Sequence, residues 1–308
     1  MEFKAKLKDN IFQLYRELKT RTYRHSHYTA FSVCDPKPRR IHKATAKDRV
    51  LHHAIFRILY PIFDKSFIFD SYSCRLEKGT HRAVRRLQKF CRKLSRNNRR
   101  NIFALKCNIR KFFDSIDQDI LLNLIQKKIQ DKNALWLIEK IIKSFPVGLP
   151  LGNVTSQIFA NIYLNELDQF VKHNLREKYY LRYCDDFIIL SEDENYLRKL
   201  ILEINNFLRT KLKINLHLNK IIIRKYRQGI DFLGYIILPH HVVLRTKTKR
   251  RMIKKLHKKH SYSQKEIISK DSFNQSLQSY LGMLKHCEGY KIEKFLRKLY
   301  GFKVLNTL

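Results

Sequence analysis

The chain has 308 residues, 44% of them apolar, enough for one large core or two to three smaller ones and too many for a disordered tail. Its 64 Lys and Arg against 27 Asp and Glu leave a formal charge of +37, which opposes compaction and points to a polyanionic partner, nucleic acid first. An AT-rich coding sequence would account for the Asn and Ile content, but not for the shortage of acids.

Six cysteines (Cys34, Cys74, Cys91, Cys107, Cys184 and Cys287) show no CxxC or Cys/His spacing, which suggests neither a zinc site nor a disulfide scaffold and fits reduced thiols. The first 19 residues, MEFKAKLKDNIFQLYRELK, are charged throughout, and no stretch approaches 18 uninterrupted apolar residues. The expectation is a soluble, cytoplasmic protein without membrane contact. Eight Gly and six Pro leave few flexible linkers, and there is no internal repeat.

In chain order, residues 47–63 carry Val50, Ala54, Ile55, Ile58 and Leu59 at helical spacing, with Lys47 and Arg49 at the start and Pro61 ending the pattern. Residues 80–96 place Ala83, Val84, Leu87, Phe90, Cys91 and Leu94 on one side of a helix and basic residues on the other, as a core-facing helix with a solvated face does. Ile102 to Ile109 reads as a strand, and Ser115 with Gln118 as a capping box for the helix in SIDQDILLNLIQKKI. Phe159, Ile162, Tyr163, Leu167, Phe170 and Val171 define a long amphipathic helix over 156–175, after the turn GLPLGN. The apolar runs YYLRY and FIIL are strands joined at Cys184-Asp185-Asp186. A helix at 193–212, strands at 221–225 and 231–238, and basic helices from Leu244 onward complete an α+β chain.

Two adjacent acids between apolar strands, RYCDDFIIL, need a reason, because neighbouring carboxylates repel unless a cation neutralises them. A solvated turn is the common explanation for such a pair. The sharper one is a Mg²⁺ site for phosphoryl transfer, in which two ions sit about 3.5 to 4 Å apart. Such a site takes another acid from a second strand. ALKCN is the candidate strand, and it ends at Asn108; Asp114 lies six residues on, about 20 Å away in extended chain at roughly 3.3 Å per residue.

In order and spacing these segments resemble reverse transcriptases over nearly the whole chain. NIRKFFDSID resembles the first palm motif, GLPLGNVTSQ the second, YCDD the third, LNK with Lys220 the fourth and DFLGY the primer-gripping hairpin; PKPRRI, KDR and SYSCRLEKGTH resemble the preceding segments. Most reverse transcriptases carry Gln at the position of Leu151 and Pro at that of Gln157. The pattern Leu151-Gly152-x-x-x-Ser156-Gln157 is similar to that of diversity-generating retroelements, whose reverse transcriptases copy a template RNA with frequent errors opposite adenine.

The resemblance implies a right-hand polymerase with fingers (1–101 and 118–147), palm (102–117 and 148–238) and a short helical thumb (239–308). It implies template RNA, a cDNA or primer strand and dNTPs as partners, together with a small basic pentameric accessory protein. Asp185 would coordinate both Mg²⁺ ions, with Asp186 at the rim. Phe113 would lie beneath the incoming sugar, and Arg39, with Lys47 and Arg49 as further candidates, would hold the triphosphate. Leu151 would loosen selection near the nucleotide, with Gly152 beside it in the nucleotide site, Gln157 would orient template or nucleotide, and Lys220 would act as general acid toward pyrophosphate. Arg245, Lys247, Lys249, Arg250, Arg251, Lys254 and Lys255 would grip the duplex backbone.

Asn108 departs from the family, which has the catalytic Asp there. A neutral carbonyl oxygen cannot bridge two cations as a carboxylate does, so the Mg²⁺ pair should be weakened; a cost of about 4 kcal/mol at the transition state is roughly a thousandfold in rate. The intactness of every other motif favours a substitution introduced to trap a complex over a naturally silent relative, a view that a natural Asn codon in the source gene would contradict. The rival functions are a phage-defence reverse transcriptase and a silent RNA-binding scaffold. An intron maturase is disfavoured by a chain that stops after the thumb.

Overall fold

A computed structural model describes residues 5–35 and 37–301; Pro36, the first residue of PKPRRI, and residues 302–308 of the expected thumb lie outside the described residues. The chain divides into two compact units. One comprises Met1–Gly79, Lys106–Ile189 and Arg198–Ile221, the other Thr80–Leu105, Leu190–Leu197 and Ile222–Leu308.

The first unit begins with α1 (Leu7–Lys19) and an antiparallel pair, β1 (Thr29–Val33) and β2 (Arg39–Lys43), with Phe31 opposite Ile41. Next comes α2 (Ala46–Asp64), whose Thr45 cap accepts from the Asp48 amide. Its buried face is Asp48, Leu51, His52, Ile55, Leu59 and Phe63, while Val50 and Ile58 are exposed. The apolar count alone misplaced this face, because the inward positions include two polar residues with partners of their own. Tyr23 donates to Asp48 at 2.8 Å, and the Thr155 hydroxyl lies 2.7 Å from His52 Nδ1. Pro61 does not stop the helix, which runs one turn further to Asp64.

β3 (Phe103–Asn108) leads through the short α4 (Phe112–Ser115) to α5 (Gln118–Gln126) and α6 (Lys132–Ile142). The expected Ser115/Gln118 capping box is not formed. Asp117 caps α5 by accepting from the amides of Asp119 and Ile120, Ser115 donates back to Arg110 and Lys111 carbonyls, and Gln118 donates to the carbonyls of Ile142, Phe145 and Gly148. A carboxylate two residues later in the chain is the better acceptor at the positive helix end.

α7 (Val154–Gln169), which continues as a wider π turn to Asn174, packs against α2 and α5. It is buried on nearly every side, including Thr155, Ser156, Asn161 and Asp168, and so lacks the solvated face of the amphipathic helix expected. β4 (Tyr180–Tyr183) and β5 (Asp186–Ser191) form a hairpin with Tyr183 opposite Asp186, and the four-stranded sheet runs β4-β5-β3-β6. α8 (Glu194–Leu212) follows, and a 3₁₀ turn at Leu218–Lys220 ends this unit's chain.

The second unit holds α3 (Thr80–Leu94), with the expected apolar face buried, and the edge strand β6 (Ile222–Lys225). It also holds a three-stranded antiparallel sheet, β7 (Ile230–Phe232), β8 (Tyr235–Ile237) and β9 (Val242–Leu244), followed by α9 (Thr246–Gln264), α10 (Lys270–Leu284) and α11 (Tyr290–Tyr300). The strand read from the apolar run 231–238 is a tight hairpin, as the resemblance of DFLGY implied. Leu233 and Gly234 both take positive φ (50° and 90°), the geometry that reverses a chain in two residues.

Candidate active site

The strand order explains how three polar side chains meet. β3 and β5 are neighbours, so the end of β3 at Asn108 lies beside the hairpin turn that carries Asp185 and Asp186, and the Ile109 amide donates to the Asp185 carbonyl at 3.2 Å. Cys184 in that turn is left-handed (φ 54°), a strained conformation for a side chain with a Cβ that costs about 1–2 kcal/mol. The 3₁₀ turn is fixed from the other direction, with the His217 amide donating to the Asn108 carbonyl at 2.8 Å.

Asn108 is buried, and its Nδ2 donates to Asp185 Oδ2 and to Asp186 Oδ1, both at 2.8 Å. Lys220 Nζ donates to Asn108 Oδ1 at 2.9 Å. An ammonium only donates and a carboxylate only accepts, so this is the one amide orientation that satisfies all three partners. Burial and the Asp186 charge push the Asp185 carboxyl above its usual range, against the pull of the Asn108 amide and Lys220. The amide supplies two hydrogen bonds and no charge, so a carboxylate pair remains that no cation among the described residues contacts.

The donor set suits one hard cation: two carboxylates converge on a single point. That point is where the Asn108 amide nitrogen now sits, and the third carboxylate that two ions would share is replaced by an amide. Among the described residues, no three His, Cys, Asp or Glu side chains gather in a metal-ligating cluster.

Phe113 and Gln157 line one recess with Cys184, Cys74 and Arg182, which brings the first and second motif segments to the YCDD turn. The Phe113 carbonyl accepts from the Leu149 amide at 2.8 Å, and a Cβ on Gly148 (φ 66°) would fall 2.2 Å from that oxygen, so only glycine fits. Leu151 and Gly152 bind β2: the His42 amide donates to the Leu151 carbonyl at 2.8 Å, Asn153 donates to the His42 carbonyl at 3.0 Å, and a Cβ on Gly152 would meet Ile41 at 2.6 Å. Arg39, exposed on β2, is therefore carried by the strand that the Leu151 segment holds.

The other expected cations are placed differently. Lys47 pairs with Glu17 at 2.8 Å and lies over the Tyr23 ring, whereas Arg49 is exposed beside Leu7, Val50 and His53. At 100° per residue these two side chains leave α2 about 200° apart, so they do not converge on one phosphate group. On α9, Lys247, Lys249, Arg250, Lys254 and Lys255 are exposed and Arg251 is half-buried, while Arg245 pairs with Asp231 at 3.1 Å across the hairpin.

The sequence reading missed the support beneath the turn. Arg182 and Asp168, both fully buried, form a bidentate pair at 2.8 and 2.6 Å; Tyr180 donates to the same carboxylate at 2.6 Å, and Arg182 also donates to the Cys184 carbonyl at 3.1 Å. Burial alone would lower the Arg182 pKa, but Asp168 outweighs it and holds the guanidinium charged. The available signal was a charged residue inside the apolar run YYLRY with an acid on the preceding helix.

A carboxylate turn on an antiparallel hairpin, faced by the end of a neighbouring strand and backed by a buried helix, is the arrangement of an α+β polymerase fold. Among solved structures, telomerase from Candida tropicalis in complex with a TWJ fragment of telomeric RNA aligns with TM-score 0.58 at 12% identity, covering 94% of this chain and 59% of that one. Its apo form truncated from the C-terminal domain aligns with TM-score 0.55 at 13% identity, over 77% of this chain and 60% of that one; both likenesses are of fold. The family described as reverse transcriptase (RNA-dependent DNA polymerase) matches residues 35–237, and the chain belongs to that family. Protein YkfC of Escherichia coli K12 is 24% identical over 62% of this chain, and the group II intron-encoded protein LtrA of Lactococcus lactis is 25% identical over 63%. The chain spans 61% of the first and 43% of the second, less than two thirds of either. Among the described residues no helix is long and apolar enough to cross a membrane.

Proposed function

We propose that this chain is an RNA-directed DNA polymerase of the diversity-generating retroelement type, working in the cytoplasm on a template RNA, a primer and dNTPs with a small basic accessory protein, and disabled at one position by Asn108. The observation that carries the reading is the convergence of Asn108, Asp185, Asp186 and Lys220 within hydrogen-bond distance. The retroelement assignment rests on Leu151-Gly152-x-x-x-Ser156-Gln157, and the division into fingers, palm and thumb follows the boundaries given above.

In the reaction the primer 3′-hydroxyl oxygen forms a bond to the α-phosphorus of the nucleotide, its proton passing to solvent, while the bond to pyrophosphate breaks. Asp185 and Asp186 would hold Mg²⁺, which would supply charge stabilisation to the transferring phosphoryl group. Asn108 keeps the two carboxylates in place but adds no charge. Lys220, freed from the Asn108 oxygen, donates a proton to the departing pyrophosphate. Phe113 and Gln157 shape the nucleotide side of the turn, and Arg39 meets the triphosphate with a guanidinium fork.

Primer extension on an RNA template tests this, comparing the chain with Asn108→Asp, each with cognate RNA and accessory protein. Synthesis at least a thousandfold faster with the restored acid is expected. Silence from both, with RNA still bound, would favour an RNA-binding scaffold. A second reading, an intron-type reverse transcriptase, is supported by the match to LtrA and would show as extension without any need for the accessory protein.

A further inference from the structure

From Thr80 to Leu105 the chain carries nine Lys and Arg, seven of them Arg, and no Asp or Glu. On α3, Arg85, Lys89, Arg92 and Lys93 are exposed and fall within about a 100° arc at 100° per residue, opposite the buried Ala83, Val84, Leu87, Phe90 and Cys91. They cover about 12 Å of helix axis at 1.5 Å per residue, and like charges three and four residues apart destabilise a helix. Among the described residues, none of these four side chains pairs with a carboxylate.

The turn after α3 extends the stripe on a rigid base. Arg96, Asn97 and Asn98 are three consecutive left-handed residues (φ 50°, 56° and 70°), a conformation that costs each about 1–2 kcal/mol. Buried Ser95 holds them: its hydroxyl accepts from the Asn98 amide at 2.9 Å, its carbonyl accepts from the Arg100 amide at 2.9 Å, and Asn98 Nδ2 reaches the Pro239 carbonyl at 2.8 Å. Exposed Arg96 is thereby fixed next to the helix stripe, and strain of this kind gathers where function requires it.

We propose that Arg85, Lys89, Arg92, Lys93 and Arg96, none of them a residue of the candidate active site, form a docking surface for the phosphate backbone of double-stranded RNA. The inference shares with the proposed function only the premise that RNA is a ligand. The stripe has no exposed apolar residue to anchor a protein partner, and the apolar side of α3 is spent on the core, so it cannot insert into a bilayer. Guanidinium-rich charge at helical spacing is suited to successive phosphates and carries no base readout.

The test is the full chain with Arg85→Gln, Lys89→Gln, Arg92→Gln, Lys93→Gln and Arg96→Gln, titrated with a blunt RNA duplex of about 30 base pairs over a range of salt. At about 0.9 per phosphate contact, the log–log salt slope should fall by about 3 to 4, with at least a tenfold loss of affinity. In an Asn108→Asp background, extension of a short primer–template should stay within about twofold. Unchanged duplex affinity and slope would overturn the proposal. So would binding to phosphatidylserine vesicles or polyglutamate that the substitutions abolish while duplex binding persists, or joint loss of extension and duplex binding in a chain that melts normally. Loss of duplex binding alongside an Asn108→Asp chain that never extends a primer would sustain this surface and sink the polymerase reading. Should the fivefold variant misfold, Lys89→Gln with Lys93→Gln should lower the slope by about 2, and no change in that pair would count equally against the proposal.

Discussion

Asp168 and the pair Asp185 and Asp186 lie in the first unit on a helix and on the hairpin that follows it, and their charges are answered differently. Asp168 is sealed in the core with a bidentate guanidinium and a phenol, and its charge is balanced within the protein. Asp185 and Asp186 each accept from the neutral Asn108 amide, and Lys220 donates to the far side of that amide; among the described residues neither carboxylate forms an ion pair. The first arrangement holds the turn in place, and the second leaves two neighbouring carboxylates with no matched base of their own among the described residues. A buried acid with a matched base is architecture, whereas a pair of acids with a mismatched partner marks chemistry.

That contrast is broken most severely at Arg182. Replacing Arg182 with Met strands a carboxylate in the core and should cost about 3–5 kcal/mol in urea unfolding. The double variant Arg182→Met with Asp168→Leu should recover much of that loss, because removing both charges also removes the desolvation penalty.

A second buried polar site lies beside α2. His52 is held down to about 4 by burial and by neighbouring His25, whose Nε2 lies 3.0 Å from its own, with Asp48 opposing and His53 adding to the effect. A base with a depressed folded pKa leaves the unfolded chain binding more protons between the two values. Stability is therefore full above about pH 6.5 and is lost as pH falls toward 4, by on the order of 3 kcal/mol. His52→Asn should flatten that loss in melts across pH 4 to 7.

Smaller effects sharpen the comparison at the edges of the site. Asp117→Ala should cost about 1 kcal/mol by removing the cap of α5, whereas Ser115→Ala, at the residue the sequence pattern favoured, should cost less than half of that. Equal losses in thermal melts would contradict the cap assignment.

Much of this was legible in the chain. The strand ending at Asn108, the acid pair between YYLRY and FIIL, and the basic outer face of α3 were all read from alternation and spacing, because those residues obey local rules. What escaped depends on burial by distant partners. α7 looked amphipathic because Thr155, Ser156, Asn161 and Asp168 are polar, yet each is buried; Asn161, for one, donates to the Ser73 carbonyl at 2.9 Å. Val50 and Ile58 looked inward-facing because they are apolar, while Asp48 and His52 took those places through hydrogen bonds. The hairpin at Leu233-Gly234 read as one strand from its apolar run, because only one of its two left-handed residues is glycine, and it was the resemblance of DFLGY that pointed to a hairpin.

The central claim is that the charge at Asp185 and Asp186 is meant to be met by a cation and that Asn108 stands in its place. Thermal melting of this chain and of Asn108→Asp across a Mg²⁺ titration tests it most directly. The account predicts a less stable Asn108→Asp protein without the ion, from three facing carboxylates, and a melting temperature that rises with Mg²⁺ far more than that of the parent. Equal responses in the two proteins, or an Asn108→Asp chain indifferent to Mg²⁺, would contradict it.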